Sequence, residues 1–235
     1  MPDNPKLAVV IPVYNEEKNI VALIRDWSHV FGNTGVPYRI ILIDDGSKDQ
    51  SPGLIRQMQE SYPFLFVHTQ SNAGHGPSIL KGYQMAQGAE WIFQIDSDHQ
   101  LATNAFQELW DNRDRYDFLL AERKEKNATL PRKYVSRLSR LLVHLLYGRR
   151  VKDVNSPYRL IRSKRLQEVL DEIPEGSFAP NILLTSWFVL KKSRIFTTIT
   201  EVREAGLPRQ SKMNSYFLKG ALKSALQTIV FRIKL

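Results

Sequence analysis

The sequence predicts an α/β fold: a mostly parallel central sheet flanked by helices, with an amphipathic helix at the C-terminal end. Three observations carry this expectation. Short apolar, β-branched runs alternate with stretches of helical spacing through the first hundred residues, and such alternation builds right-handed βαβ units. The 235 residues, 43% of them hydrophobic, suit one large α/β domain over 1–213 followed by a helix over 214–235. Polar residues gather after each apolar run, where open parallel sheets bind their ligands.

Residues 7–11 (LAVVI) read as a buried parallel strand that stops at Pro12. Residues 16–31 have helical spacing in Ile20, Leu23, Ile24, Trp27 and Phe31. A second strand over 38–43 ends in Asp44-Asp45-Gly46-Ser47, and Ser51-Pro52 opens a second helix with Pro at its first position. Residues 64–68 give a third strand. The loop Gly74-His75-Gly76-Pro77 leads into a helix to about residue 87, and a fourth strand over 91–95 ends in Asp96-Ser97-Asp98. The second half holds a basic amphipathic helix over 132–147, with Leu138, Leu141, Leu142, Leu145 and Leu146 on one side. A turn at 155–159 leads into a short strand. An apolar helix over 180–191, a strand over 195–202, a basic loop over 203–213 and a helix over 214–234 complete the chain.

Composition narrows the function. With no cysteine there is no disulfide, thiolate metal site or cysteine nucleophile. The N-terminus lacks the layout of a signal peptide, and no uncharged apolar run spans a bilayer, so a cytoplasmic protein is expected. The formal charge is +9, and fourteen of the 33 Lys and Arg residues fall in 122–165, against three acids (Glu122, Glu125, Asp153). Such a block suits a polyanionic partner, a phosphorylated substrate or an anionic membrane; the plainer reading is a solvated basic face. Its apolar residues are mainly leucines at helical spacing, with few aromatics for stacking on bases, so a nucleic-acid partner is not expected.

Asp96 and Asp98 follow the fourth strand, and in a turn both carboxylates can reach one cation; hard oxygen ligands suit Mg²⁺ or Mn²⁺. Such an ion neutralises a diphosphate leaving group. Gln100 and His99 are further ligand candidates. Asp44 and Asp45 can accept hydrogen bonds from a base or ribose, and Gly46 lets the backbone turn closely. After strand one, Tyr14 can stack on a base and Asn15 and Glu16 can pair with base or ribose; the alternative is an N-cap with first-turn acids. Free N–H groups near Asn72 at a helix start favour an anion, although the loop is neither a P-loop nor a dinucleotide fingerprint.

Together, strand–PVYNEE, strand–IDDGS, strand–NAGHGPSILKG and strand–IDSDHQ resemble the family 2 glycosyltransferases. Within them the chain is most similar to polyprenyl-phosphate sugar transferases such as the dolichyl-phosphate mannose synthases. Their Asp-x-Asp-x-Gln motif is matched by Asp96, Asp98 and Gln100, and their Ser-Arg pair by Ser136-Arg137. Their Asp-x-x-Ser-Gly/Pro-aromatic-Arg segment is matched by Asp153, Ser156, Pro157, Tyr158 and Arg159. Their basic Ser-Lys loop is matched by Arg209, Ser211 and Lys212.

The resemblance implies the GT-A form of the α/β fold, a nucleoside-diphosphate-sugar donor, and inversion at the anomeric carbon. It divides the domain into a nucleotide- and metal-binding half, 1–101, and an acceptor-binding half, 102–213. Pro12, Tyr14, Asn15, Glu16, Asp44, Asp45, Asn72 and Asp96 would line the donor site. Asp96, Asp98 and Gln100 would hold Mg²⁺ or Mn²⁺. Asp98 and Arg137 would act in catalysis, and Arg123, Ser136, Arg137, Arg209, Ser211 and Lys212 would meet the acceptor phosphate.

Two departures matter. Many relatives continue into transmembrane helices, whereas this sequence ends before any, so peripheral binding to an anionic membrane on its inner face is expected. Relatives often carry an acid near the position of Asn181. A hydroxyl acceptor needs a general base, but a phosphate monoester is already anionic at pH 7, which favours a lipid-phosphate acceptor over a hydroxyl of a growing glycan.

Overall fold

A computed structural model describes residues 5–124, 130–148, 151–203 and 215–235, with the side chains of 130–134 and 215–218 left aside. The first half follows the expected order: β1 (Leu7–Val13), α1 (Ile20–Gly32), β2 (Tyr38–Asp44), α2 (Ser51–Ser61), β3 (Leu65–Thr69), α3 (His75–Met85) and β4 (Trp91–Gln94). Then come α4 (Ala105–Asn112), a 3₁₀ turn (Arg113–Arg115), β5 (Phe118–Arg123), α5 (Leu130–Tyr147), β6 (Arg159–Arg162), α6 (Ser163–Leu170), α7 (Pro180–Leu190), β7 (Ile195–Thr200) and α8 (Ser215–Lys234).

The seven strands form one sheet in the order β3-β2-β1-β4-β6-β5-β7. Pairing is parallel between β1 and β2, β1 and β4, β2 and β3, and β5 and β7. β6 alone runs antiparallel, to β4 on one side and β5 on the other. Side chains along each strand alternate between two cores, as period-two geometry requires. Leu7, Val9 and Ile11 join α1, α2 and α4 on one face, while Ala8 and Val10 join α3, α6 and α7 on the other.

Several boundaries differ from expectation for physical reasons. β1 does not stop at Pro12 but continues to Val13, opposite Asp44. β4 pairs only as far as Val10, so beyond that point β1 has β2 as its one neighbour, and proline is tolerated where a ladder bond is not required. α1 begins at Ile20 rather than 16, because the Glu16 carbonyl accepts from Asn19 N and Ile20 N and closes a turn first. Glu16 and Glu17 therefore precede the helix instead of filling its first turn.

α3 lies close on the sheet at Gly82, where an added Cβ would stand 2.2 Å from Val10 Cγ1. Valine is stiff at χ1 and cannot swing aside cheaply. Gly82→Ala should therefore lower stability by about 1–2 kcal/mol, the overpacking cost exceeding the helix-propensity gain. Urea unfolding checks this, and an unchanged or higher midpoint would contradict it.

Candidate active site at the carboxyl edge of the sheet

The parallel strands β1 to β4 all end on one edge, and β5 and β7 end there too because two antiparallel pairings restore their direction. The antiparallel β6 begins at that edge. The turns after β1, β2, β3 and β4 are therefore neighbours, joined by Arg123 at the end of β5 and the 153–159 turn before β6.

After β1, Tyr14 is exposed and able to stack. Asn15 adopts φ +54°, a left-handed conformation that asparagine tolerates. Its N–H donates to Ser47 Oγ (3.0 Å), and its Oδ1 accepts from Lys48 N (2.8 Å). Glu16 is buried; its N–H donates to Ser51 Oγ (2.8 Å) and its carboxylate accepts from Asn19 Nδ2 (2.8 Å). Asn15 and Glu16 thus knit the first turn to the second.

In that second turn Asp44 Oδ1 accepts from Ser47 N (3.0 Å). Gly46 takes φ +74°, and a Cβ there would lie 3.1 Å from Asn72 N and Gln70 O. The buried Asp45 carboxylate accepts from Ala73 N (2.8 Å), Gly74 N (2.9 Å) and Gln70 Nε2 (2.8 Å). Charge-assisted bonds of this kind compensate a buried carboxylate. Asp45 therefore fixes the loop that carries the exposed Asn72 and leads into α3.

Asp96 follows β4, and its Oδ1 is a buried oxygen without a hydrogen-bond partner among the described residues. His75, the first residue of α3, places Nε2 3.4 Å from it. Burial pushes the Asp96 carboxyl up, but His75 above all, with Arg123 and Arg159, outweighs this and holds it below the usual carboxylate range. Desolvation pulls the His75 imidazole down, although more than half of that side chain is exposed, and Asp96, then Asp98 and Asp45, outweigh it and raise it. Those causes place His75, Asp96, Asp98 and Asp45 in one electrostatic cluster.

Asp98 Oδ1 accepts from Gln100 N (3.2 Å) within the turn. Among the described residues no three or more Asp, Glu, His or Cys side chains converge as a metal cage. The donor set Asp96, Asp98 and Gln100, with its orphaned buried oxygen, instead fits a hard cation that keeps waters and takes diphosphate oxygens. His99 is not part of that set. Its ring turns away onto Asp26 of α1 (3.0 Å) and Arg203 (2.6 Å), which corrects its reading as a ligand.

The basic residues divide. Arg123 makes a two-pronged pair with Asp153 (2.7 and 3.1 Å), so a phosphate would meet a cation already oriented by a carboxylate. Arg159, fully buried, donates through Nε (2.9 Å) and Nη2 to Ser156 O, and through Nη1 to Asn181 O (3.1 Å). Burial brings its guanidinium down to about 10. Ser156 Oγ donates to Ala121 O (2.6 Å). The Ser-Pro-Tyr-Arg segment thus locks the start of β6 to β5 and α7. Asn181 is buried on α7.

Half-buried Ser136 and exposed Arg137 sit on α5, which packs on α7 and α8. Arg209, Ser211 and Lys212 lie outside the described residues, as does the boundary at 213. Sequence reasoning missed His75, whose only signal was a polar loop after β3, and missed the burial of Arg159.

The family model described as glycosyl transferase family 2 matches residues 8–178. The chain is 28% identical over 234 residues to the undecaprenyl-phosphate 4-deoxy-4-formamido-L-arabinose transferase of Pectobacterium atrosepticum, covering 98% of this chain and 70% of the relative. The protein of that description from Enterobacter sp. is 29% identical, with 97% and 69% covered. Among solved structures, glucosyl-3-phosphoglycerate synthase from Mycobacterium tuberculosis with uridine diphosphate is similar at a TM-score of 0.67 and 17% identity, over 97% of this chain and 80% of that one. The same synthase has been solved with Mn²⁺, UDP-glucose and phosphoglyceric acid, at a TM-score of 0.67 and 15% identity, with the same 97% and 80% covered. S. aureus TarS 1–349 with UDP is similar at a TM-score of 0.62 and 20% identity, over 84% of this chain and 60% of that one.

The bonds to Asp45 give a direct expectation. Asp45→Ala should cost about 1.5–3 kcal/mol of folding stability, the scale of hydrogen bonds to a charged group. Denaturant unfolding measures it, and an unchanged midpoint would show that the loop after β3 is held by something else.

Proposed function

The chain belongs to glycosyl transferase family 2, and from that premise we propose that it moves a sugar from a nucleoside-diphosphate donor to a polyprenyl phosphate at a membrane surface. The observation that carries this reading is the pair of Asp96 with His75 (3.4 Å) at the carboxyl edge of the sheet, where Asp98 follows β4 and Arg123 ends β5. Carboxylates for a cation and cations for phosphates meet there. The likeness to undecaprenyl-phosphate transferases, over nearly the whole chain, supports the acceptor class.

Tyr14, exposed after β1, would stack on the base, Asn15, Glu16, Asp44, Asp45 and Asn72 would shape the nucleoside pocket, and Pro12 lies within β1 one residue before its end. Asp96, Asp98 and Gln100 would hold Mg²⁺ or Mn²⁺, which would supply charge neutralisation of the diphosphate leaving group. An acceptor phosphate oxygen attacks the anomeric carbon from the face opposite the diphosphate. The new C–O bond forms as the bond from carbon to the β-phosphate oxygen breaks, and the configuration inverts. Arg123, Ser136, Arg137, Arg209, Ser211 and Lys212 are assigned to the acceptor phosphate. With a second pKa near 6 that phosphate is a nucleophile without help. A buried, neutral Asn181 where relatives often carry an acid suits such an acceptor better than a hydroxyl.

The membrane reading rests on how α5 and α8 are turned. α8 packs inward through Gly220, Ser224, Thr228 and Phe231, while Leu222 (73% exposed), Leu226 and Ile233 (79%) face out. Gly220 accommodates the Phe178 ring, and Tyr147 of α5 donates to Thr228 O (2.7 Å). α5 likewise exposes Leu138, Leu141 and Leu145. An amphipathic helix packed on its own domain would bury those leucines. Exposed leucines flanked by Lys219 and Lys223 suit an anionic interface. No helix of the described residues is long and apolar enough to cross a membrane.

Two outcomes follow. Asp98→Asn should lower transfer by on the order of 10²-fold or more while leaving the melting temperature in place, as expected for a lost charge-stabilising group; a fully active variant would remove the metal from the account. Leu222→Gln/Leu226→Gln/Ile233→Gln should weaken flotation with anionic liposomes and keep the fold, since none of the three is buried. Flotation equal to wild type would move the contact elsewhere.

A further inference from the structure

Three side chains hold the Asp98–Gln100 turn from behind, and the reading above leaves them without a task. Asp26 projects from α1, His99 lies between the two proposed ligands, and Arg203 follows β7. His99 Nε2 lies 3.0 Å from Asp26 Oδ2. Arg203 Nη1 donates to that same oxygen at 3.1 Å and stands 2.6 Å from His99 Nε2. The main chain continues the junction: Arg203 N donates to Gln100 O (2.7 Å), Ala102 N donates to Glu201 O (3.1 Å), and Leu101 forms an antiparallel bridge with Val202.

His99 itself adopts φ +54°. A non-glycine residue keeps such a backbone only where its surroundings over-determine it, and here the surroundings are the clamp. With its side chain only 16% exposed, His99 is held on α1, and the same turn sets where Asp98 and Gln100 stand. A loose surface ion pair would do none of this. The clamp also joins segments far apart in sequence, α1 and the residues after β7, at the turn that carries Asp98.

We infer that Asp26 and Arg203 are positioning residues which, by gripping His99, hold the Asp98–Gln100 turn in the shape that receives a divalent cation with a nucleoside diphosphate. The inference rests on the reading of Asp96, Asp98 and Gln100 as cation ligands. Groups that orient ligands from behind commonly set metal affinity by 10–100-fold.

The test is a Mn²⁺ titration of the full chain in the presence of UDP, followed by the electron paramagnetic resonance of free Mn²⁺. Binding of UDP in EDTA and thermal melting are measured on the same samples. Asp26→Ala and Arg203→Ala should raise the Mn²⁺ concentration for half-saturation by about 10-fold or more and leave metal-free UDP binding unchanged. Asp26→Glu, which keeps the carboxylate, should recover part of the loss. Should Asp26→Ala fail to fold, the near-isosteric Asp26→Asn carries the measurement, with a smaller shift in the same direction. Mn²⁺ binding lost in Asp98→Asn but equal to wild type in the Asp26 and Arg203 variants overturns the clamp alone. Mn²⁺ binding absent from the wild type, or retained in Asp98→Asn, overturns the metal reading and the inference with it.

Discussion

The ladders that β1 makes on both sides, parallel to β2 and parallel to β4, constrain everything else in the molecule. A strand flanked by two parallel partners is buried on both faces, and all seven residues of β1 are. The same pairing sends the carboxyl ends of three consecutive strands to one edge, and β3 adds a fourth through β2. Turns that are 28 or more residues apart in sequence then become neighbours. Asn15 reaches Ser47, Glu16 reaches Ser51, and Asp45 reaches Ala73 and Gly74. Chemistry on this edge is a consequence of strand direction before it is a consequence of any motif.

Crowding acids onto one edge creates a problem of buried charge, and the edge resolves it in two ways. Asp44, Asp45 and Asp49 accept backbone N–H groups, which stabilise a carboxylate without a counter-ion. Burial pushes Asp49 up, but the Ser51 hydroxyl first, and then backbone N–H groups, hold it below the usual range. Asp96 is different: it has an orphaned buried oxygen and is held ionised by His75, Arg123 and Arg159. The first group ties the turns to one another; the second carries the carboxylate to which the proposed function assigns the cation. An Asp-x-Asp turn says little in isolation; what the proposed function draws on is a carboxylate kept anionic by its neighbours at a strand end.

The first half was legible because its strands are mainly apolar runs closed by turn residues. The second half was less so. β5 offers only Phe118-Leu119-Leu120-Ala121 before Glu122 and Arg123, and α4 and α6 have eight residues each, too short for periodicity to separate from loop. Nothing in Arg159–Arg162 announces that β6 runs antiparallel, since direction is set by the connections around a strand. The amphipathic character of α8 was visible in the sequence, but spacing cannot say which side of a helix faces the domain. Packing decides that, and it turned the side with Gly220, Ser224 and Thr228 inward. Among the site residues, the four strand ends were readable. The engagement of Arg123 by Asp153, the burial of Arg159 and the diversion of His99 to Asp26 depend on contacts between distant segments that no local pattern encodes.

The central claim is that this edge joins a sugar to a phosphate. The most direct measurement is mass spectrometry of the lipid fraction after the protein is incubated with Mn²⁺, undecaprenyl phosphate in anionic vesicles and a panel of nucleotide sugars. The account predicts a glycosyl phosphodiester with inverted anomeric configuration, formed from one donor of the panel. Sugar appearing only on a hydroxyl acceptor, with undecaprenyl phosphate unchanged, would contradict it.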